Sequence, residues 1–417
     1  MSDVITARIT SSAAQDVDRA RYAVDGMLPD IVVAPTTEEE LSRSVREVSD
    51  AGAAAIVVGG AQHLSLGNIP SSYDVALSTE HLRDIVAHEP ADLTVTCEPG
   101  VRLADLERVL APHNQYLPLD AFGDSTIGGV IAANVFGPMR HAHGTVRDWL
   151  IGIRTVQPDG IVTKAGGRVV KNVTGYEMMK LHCGALGTLG VISQATFKLA
   201  PLPAATTTVA VACGSAAEGA ALILAARDAG LAMRRAELVS SAVAVRLVNE
   251  RGWHTIIEFA GGQAAVGRSL KGIAAIAPTN PQEIDATIWD SWSDSSSGAN
   301  VRLRASVLPS EAGAMAAMLV DRTSVAGVEL SCTVTCGALR IEFDTDEVAD
   351  GRIELERIRA TITARGGTMI VEAAPVAVKR DIDVFGEPGS DFEIMRRLKA
   401  GFDPQRTLSP GRFIGRL

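Results

Sequence analysis

The sequence is poor in aromatic residues and in net positive charge. Of its 417 residues 4% are aromatic, and the formal net charge is -10. A general nucleic-acid binder needs a basic face, and a protein that binds single strands needs aromatic rings for stacking. The composition therefore argues against both classes and predicts no nucleic-acid partner.

Cysteine is scarce, and no cysteine pattern for a disulfide framework or a metal site is present. An odd set of scattered cysteines indicates reduced thiols: Cys97, Cys183, Cys213, Cys332 and Cys336. Cys332 and Cys336 in "SCTVTC" would share one face of a strand, and without a second pair we interpret them as small buried residues. His141 and His143 lack nearby acids and favour a structural role. We expect no metal.

Long hydrophobic runs are also missing. The start "MSDVITARIT" has no apolar region of a signal peptide, and no run is long enough to span a bilayer. We expect a cytoplasmic protein without direct membrane insertion, with any attachment to a membrane made through a complex.

The length predicts two or three domains. Short apolar runs alternate with helical stretches up to the Pro-rich "KLAPLPAATT". We predict a mixed domain over 1–204 and a second domain over 205–365, built as an antiparallel sheet with helices on one face. Residues 366–417 are expected to return to the first domain.

Local patterns predict individual elements. "DIVVAP" and "AAAIVVGG" are typical of strands, and "TTEEELSRSVREVSDAG" is typical of a helix capped by Thr36 or Thr37 and ended by Gly52. "RAELVSSAVAVRLV" is interpreted as a strand and "DSWSDSSSGAN" as a polar loop.

Glycine is concentrated in loops that follow strands. "VVGGAQHLSLGN" (57–68) can present backbone N–H groups to a phosphate, although a plain turn explains it equally well. It is neither a Walker loop nor a Rossmann fingerprint. In "PLDAFGDSTIGGVIAANVFG" (118–137), Ser125 and Thr126 can donate to phosphate at the start of a helix, and a capped helix packed through small residues is the alternative.

The densest stretch is "GGRVVKNVTGYEMMKLHCGALGTLGVI" (166–192). Glycine persists where the backbone turns tightly or approaches a ligand closely. Lys171 and Tyr176 lie within this stretch and are active-side candidates without an assigned role.

These segments together resemble the flavoproteins of the vanillyl-alcohol-oxidase (VAO)/PCMH type, which bind FAD without a Rossmann fold. The stretch 166–192, "GPMRHAHGTVRDWLIGIRTV" and the closing "LKAGFDPQRTLSPGR" are similar to the FAD-binding E subunit of bacterial glycolate oxidase. The resemblance implies an α+β protein: a PCMH-type FAD-binding domain with an antiparallel-sheet cap domain.

The resemblance also implies FAD contacts by position. The pyrophosphate would lie on the first loop and on the second glycine segment: Val58, Gly59, Gly60, Ala61, Gln62, His63, Leu64, Ser125, Thr126, Gly128, Gly129 and Asn134. Adenine and ribose would lie along Gly187, Gly190, Val191 and Ile192, and the flavin ring near Pro118 and Leu119.

The sequence departs from the family at two points. Some relatives attach FAD through a histidine directly after the paired glycines, where this chain has Ala61, so we predict non-covalent FAD. Related D-lactate and glycolate dehydrogenases carry a His-x-Gly-Asp-Gly-Asn-x-His type motif, and this chain has no histidine after His254. The substrate is then handled differently, or the oxidising site belongs to another subunit.

Two arginines are candidates for a substrate carboxylate. Arg302 in "VRLRASVLP" and Arg340 in "GALRIEF" lie on predicted strands, and a guanidinium fork suits a carboxylate. A surface or interdomain salt bridge is the competing interpretation.

The resemblance predicts an FAD-dependent oxidoreductase that takes part in oxidising a small 2-hydroxy acid by hydride transfer to FAD. Electrons would pass to a larger FAD subunit and an iron–sulfur subunit, since no cysteine motif here can hold a cluster. The alternatives are a stand-alone FAD-dependent alcohol or hydroxy-acid dehydrogenase or oxidase, and a non-catalytic subunit that carries FAD as a structural or electron-relay element.

Overall fold

The computed structural model of the chain describes residues 14–15, 17–120, 123–168, 175–294, 298–322, 327–345 and 347–417. These residues form two compact units. Unit 1 contains the described residues within 1–135, 145–202 and 382–417, and unit 2 contains those within 136–144 and 203–381.

The unit boundaries differ from the expected ones at two places. Residues 366–381 belong to unit 2, because Thr368–Ala373 is a strand of its sheet, and the return to unit 1 begins at Ile382. Residues 136–144 are a short excursion of the chain into unit 2.

The helices of the described residues are numbered in chain order. They are α1 (Glu38–Asp50), α2 (Leu103–Leu110), α3 (Ile127–Ala133), α4 (Arg140–His143), α5 (Val146–Trp149), α6 (Met179–His182), α7 (Ala216–Asp228), α8 (Ser241–Val248), α9 (Gln263–Ile276), α10 (Ile288–Asp294), α11 (Ala312–Arg322), α12 (Val348–Thr363), α13 (Val376–Lys379) and α14 (Phe392–Phe402). Within the described part of the chain, no helix combines the length and the apolar character needed to cross a membrane.

The strands are numbered in the same way. They are β1 (Ala14–Gln15), β2 (Ile31–Val33), β3 (Ala55–Val58), β4 (Val75–Ser78), β5 (Ile85–Glu89), β6 (Thr94–Cys97), β7 (Gln115–Tyr116), β8 (Leu150–Val156), β9 (Val162–Gly166), β10 (Val191–Lys198), β11 (Ala200–Pro201), β12 (Ala205–Cys213), β13 (Met233–Val239), β14 (Trp253–Gly261), β15 (Gln282–Ile284), β16 (Val301–Ser306), β17 (Glu329–Thr333), β18 (Ala338–Phe343) and β19 (Thr368–Ala373).

Unit 1 contains a small parallel sheet and an antiparallel sheet. The first has the order β1-β2-β4-β3, with β2, β4 and β3 parallel, and the second has the order β5-β6-β10-β8-β9. Helix α1 begins where the Thr37 hydroxyl accepts the N–H of Glu40, and Leu41 and Val48 on its buried face pack against Val33 of the first sheet. This core fixes the end of β3, where the first glycine loop starts.

Unit 2 is built on an eight-stranded antiparallel sheet with the order β15-β12-β14-β13-β17-β18-β16-β19. Helix α7 lies on one face, where a Cβ on Gly219 would come within 2.6 Å of Leu238 Cδ1. The next strand residue, Val239, points to the opposite face and packs with Val243 and Ala244 of α8.

Three local predictions for unit 2 were wrong. The predicted strand "RAELVSSAVAVRLV" ends at Val239 and continues as α8, because alternating alanine and valine fit a buried helix face as well as a strand. Part of the predicted loop "DSWSDSSSGAN" belongs to α10, whose Trp289 and Trp292 are buried. Helices α8 and α10 therefore cover a second face of the sheet, where helices on one face were expected.

The cysteines of "SCTVTC", interpreted as small buried residues, do not share one strand: Cys332 is buried and Cys336 is partly buried. Cys332 lies on β17, whereas Cys336 lies in the 3-10 turn Val334–Cys336 that follows it. All five cysteines are free thiols: Cys97, Cys183, Cys213, Cys332 and Cys336.

Candidate functional site

The glycine loop after β3 packs against the start of α3 in unit 1. A Cβ on Gly59 would lie 2.4 Å from Thr126 Oγ1, and a Cβ on Gly60 would lie 2.6 Å from the carbonyl oxygen of Asp124. The N–H of Gly60 donates to Thr126 Oγ1 at 3.3 Å. Because the Thr126 side chain lies this close to Gly59 and the Asp124 backbone this close to Gly60, the loop has room only for glycine at these two positions.

A cavity in unit 1 opens on this loop. Its lining contains the predicted residues Gly59 to Leu64 together with Ser125, Thr126 and Gly129. The structure thus brings two glycine segments, separated by some sixty residues of chain, into one site. His63 Nε2 lies 3.2 Å from Ser125 Oγ and ties the two segments together.

Five of the predicted contact residues lie in unit 1 and are not among the residues that line this cavity: Val58, Pro118, Leu119, Gly128 and Asn134. Gly128 packs against Pro99, where a Cβ would lie 2.8 Å from the ring, which is a structural role. Asn134 ends α3 with a left-handed φ of 49°. Pro118 and Leu119 are buried, and Val58 ends β3 as a buried strand residue.

The third glycine segment contributes a turn and a strand. Gly187 adopts a left-handed φ of 70° and lies beside Val57, which lines the cavity. Gly190 precedes β10, in which Val191 and Ile192 pair with β8. Of the two active-side candidates in this segment, Tyr176 is 89% exposed, and Lys171 lies outside the described residues.

The sequence reasoning missed Arg412, which also lines the cavity. Its guanidinium is buried, donates to the carbonyl of Leu64 at 2.8 Å and to that of Leu66, and lies 3.4 Å from Asp25 Oδ2. Burial lowers the pKa of Arg412 to about 10, against the opposing attraction of Asp25, so the guanidinium stays protonated at pH 7. The available signal was the motif "LSPGR" in the closing segment.

Ser409 lies beside the same turn. It adopts a left-handed φ of 46°, and its hydroxyl would be 3.7 Å from a Cβ on Gly187. The hydroxyl is buried without a hydrogen-bond partner among the described residues. Three features suit an anionic, polar ligand such as the diphosphate of FAD. They are the buried Ser409 hydroxyl, the glycine loop and the cationic lining residue Arg412.

Unit 2 carries arginines on the sheet face opposite α7. Arg304 on β16 lies directly opposite Arg340 on β18, and Arg302 lies opposite Glu342. Arg340 contacts Glu342, and Arg304 Nε lies 3.4 Å from Glu372. The two predicted carboxylate residues therefore share a face, and Arg340 already has an acidic neighbour.

An aromatic ring next to this face is flanked by two guanidinium groups, which the sequence reasoning missed. The guanidinium of Arg140 lies 4.2 Å from the centroid of Phe136, and that of Arg304 lies 5.2 Å from it. Both distances are in the range of a cation–π contact. The arrangement brings two guanidinium groups of unit 2 to one ring, and one of them, Arg304, also has Glu372 as an acidic neighbour.

The two histidines of the excursion 136–144 are neutral at pH 7. Burial, with Arg227 and His143 as smaller causes, lowers the pKa of His141 to about 4, and burial lowers that of His143 to about 4 as well. His141 Nδ1 lies 2.8 Å from Thr335 Oγ1. Across the residues that the structure describes, no group of three or more His, Cys, Asp or Glu side chains is arranged to hold a metal.

Comparison with known proteins gives a family match over part of the chain. Residues 29–166 match a family described as an FAD binding domain. The fold resembles two solved structures of alkyldihydroxyacetonephosphate synthase. One of these is 17% identical with a TM-score of 0.70, over 97% of this chain and 83% of that chain.

Curated relatives include subunits of glycolate oxidase. Subunit GlcD of Bacillus subtilis is 25% identical over 93% of this chain and 90% of its own length. Subunit GlcE of Escherichia coli is 36% identical, over 30% of this chain and 36% of its own length. The mitochondrial cytochrome D-lactate dehydrogenase of Arabidopsis thaliana is 28% identical over 53% of this chain, which spans 39% of that protein.

The fold, the cavity and the family match define a flavoprotein with a PCMH-type FAD-binding domain. The recognition made from the glycine segments, the α+β fold class and the FAD cofactor are thereby confirmed. The chain is an FAD-dependent oxidoreductase that matches an FAD binding domain over residues 29–166, and it is similar to glycolate oxidase subunits and to dehydrogenases of D-2-hydroxy acids.

Proposed function

We propose that the chain takes part in the oxidation of a small 2-hydroxy acid of the glycolate or D-lactate type. Relatives named as glycolate oxidase subunits and as D-lactate and D-2-hydroxyglutarate dehydrogenases support this reaction class. FAD, when bound, supplies the acceptor for the hydride that leaves the α-carbon of the acid. The chain's own residues bind the cofactor and orient the acid.

We propose that the first loop and the second glycine segment hold the diphosphate, with Gly187, Gly190, Val191 and Ile192 on the adenine and ribose side. FAD is held without a covalent bond, because Ala61 occupies the position that follows the paired glycines. His63, two residues later, is engaged with Ser125. This supports its role as a loop contact and not as an attachment point.

The observation that carries the substrate assignment is the group of arginines on one sheet face of unit 2. Arg304 and Arg340 lie directly opposite each other, with Glu372 and Glu342 as acidic neighbours, and a guanidinium fork suits a carboxylate. We propose that Arg302 and Arg340 bind the substrate carboxylate, with Arg140 and Arg304 adding to the field.

We propose that electrons leave through a larger FAD subunit and an iron–sulfur subunit. The two relatives named as glycolate oxidase subunits support a complex. Burial raises the pKa of Cys97 and of Cys183 to about 12, and a thiol that stays protonated is a poor ligand for a cluster. Any attachment to a membrane would be made through that complex.

The test is a visible spectrum of the purified chain, recorded alone and then without oxygen in the presence of glycolate or D-lactate. We expect bound flavin that bleaches with one of these acids. Arg302→Gln and Arg340→Gln should raise the KM for that acid by about 10- to 100-fold, as expected for the loss of a charge-assisted hydrogen bond. Arg352→Gln, which breaks an exposed ion pair with Asp381 elsewhere on unit 2, is the matched control.

A second candidate function is that of an FAD-carrying subunit without turnover of its own. The missing histidine motif after His254 favours it. Flavin that stays oxidised with both acids, and bleaches only when partner subunits are added, would establish this alternative. Turnover of the isolated chain with an artificial acceptor would instead establish a stand-alone dehydrogenase. A chain that binds no FAD would contradict all three.

A further inference from the structure

The closing turn of the chain is bonded to the first glycine loop through its backbone. The N–H of Asn68 donates to the carbonyl of Arg412 at 2.9 Å, and the N–H of Ser71 donates to the carbonyl of Pro410 at 3.0 Å. Arg412 is 3% exposed, and it lies 348 residues from Leu64 in the chain. A residue so distant in sequence is thus buried against the loop.

The Arg412 guanidinium bonds to the loop a second time, through loop carbonyls. It donates to the carbonyl of Leu64 at 2.8 Å, to that of Leu66, and to that of Asn68 at 3.4 Å, while Asp25 faces it from the other side. A planar fork of N–H donors can serve several acceptors at once, which a lysine ammonium on a flexible stem does less well.

The loop packs closely against Arg412. Gly67 has a φ of +110°, and a Cβ there would lie 2.9 Å from the Arg412 carbonyl oxygen and 3.2 Å from its Cζ. At its other end the loop is tied to Thr126 through the N–H of Gly60. The loop is therefore held at both ends, by α3 at its start and by Arg412 at its finish.

The direction of the carbonyls decides the direction of the N–H groups. In a trans peptide the C=O and the N–H point in opposite directions, so a side chain that fixes the carbonyls of Leu64 and Leu66 also fixes the N–H groups of the residues that follow them. Leu64 ends the run of loop residues that line the cavity, so these contacts fix the end of the run whose N–H groups would meet a phosphate. Arg412 also lines the cavity, and the lining residues among those described include no acid.

We infer that Arg412 is a positioning residue of the FAD site, which holds the diphosphate loop in its binding shape from the opposite end of the chain. This rests on the proposed assignment of the loop to the diphosphate. It adds a residue to the site and a reason why the closing segment belongs to unit 1.

The test is titration of apoprotein with FAD and, separately, with ADP, which carries the diphosphate without the flavin ring. We expect Arg412→Gln to weaken both affinities by about 100-fold and Arg412→Lys by about 10-fold, each tenfold step being 1.4 kcal/mol. Amides 64–68 of the apoprotein should exchange hydrogen faster in both variants. Arg154→Gln is the matched control: it breaks an ion pair with Glu38 in unit 1, does not line the cavity, and should leave both affinities unchanged.

Each outcome decides the matter. Wild-type protein that binds neither FAD nor ADP would overturn the assignment of the loop itself, not the role of Arg412. Variants that bind both ligands within twofold of wild type, with unchanged exchange at 64–68, would overturn the role of Arg412. A loss for FAD with ADP unaffected would also overturn it, since the effect would then lie at the ring. If Arg412→Gln yields no folded protein, Arg412→Lys decides by the same readouts.

Discussion

Single buried charges tie distant parts of unit 1 together. Lys399 on α14 is almost fully buried, and its ammonium contacts Asp403 at 2.7 Å and the carbonyls of Thr188 and Leu408, each at 2.8 Å. Asp403 in turn accepts the backbone N–H groups of Thr407 and Leu408. One ion pair therefore fixes α14, the third glycine segment and the closing turn.

Replacing Lys399 should be strongly destabilising. In Lys399→Met the carboxylate of Asp403 stays buried without its ammonium, so we expect the free energy of unfolding to fall by about 3–5 kcal/mol. Arg396→Met, which removes an exposed ion pair with Glu393 on the same helix, should lower it by less than about 1 kcal/mol. Urea unfolding of both variants measures the difference. Equal losses would show that burial of the Lys399 pair has no special weight.

Among the elements, those with a strong local signal were predictable from sequence. Helix α1 has a capping threonine and acids in its first turn, and the strand before the first loop ends at its paired glycines. Helix α8 begins with alternating alanine and valine, which fits either a strand or a helix, and burial on the sheet decides between them. Its start at Ser240 is visible only once Leu330 is known to donate to the Ser240 hydroxyl.

The same contrast separates the parts of the candidate site. The paired glycines are recognisable from sequence, because glycine is the usual residue where the backbone turns tightly or approaches another group closely. The role of Arg412 is not recognisable from sequence, because the carbonyls that it contacts are far away in the chain. Leu64, the first of them, is 348 residues from Arg412. Arg340 was predicted as a strand residue. Its contact with Glu342 arises because side chains two residues apart on β18 point to the same face of the sheet.

The shape of the first loop should depend on the absence of a side chain at Gly60. In Gly60→Ala the new Cβ would meet the carbonyl oxygen of Asp124 at 2.6 Å, which is backbone and cannot turn aside. Overpacking of this kind costs about 1–3 kcal/mol, so we expect FAD affinity to fall by about 10- to 100-fold. Gly167→Ala has nothing within 4 Å of its Cβ and serves as the control. FAD titration checks both, and equal affinities would contradict a close-packed loop.

On the scale of the whole molecule, both units bury neutral histidines. Burial lowers the pKa of His182 in unit 1 to about 4, and the pKa values of His141 and His143 in unit 2 are lowered to about 4 as well. His182 is 6% exposed and packs edge-on against Phe402 of α14. Protonation therefore opposes folding in both units on the acid side.

The stability of the protein should fall as the pH drops from 7 to 5, with His182 as a measurable part of the loss. Its pKa of about 4 in the folded state lies below the ordinary value of 6.5 that the unfolded chain has. Between these values the unfolded state binds more protons, so acid favours unfolding, and nothing is lost above pH 7 where both states are neutral. His182 contributes about 2 kcal/mol of the loss between pH 7 and 5.

Urea unfolding of His182→Gln at both pH values should show a loss smaller by that amount, whereas the exposed-site control His113→Gln should match wild type. If wild type and His182→Gln lose the same stability, burial of a neutral imidazole is not what makes the fold sensitive to acid.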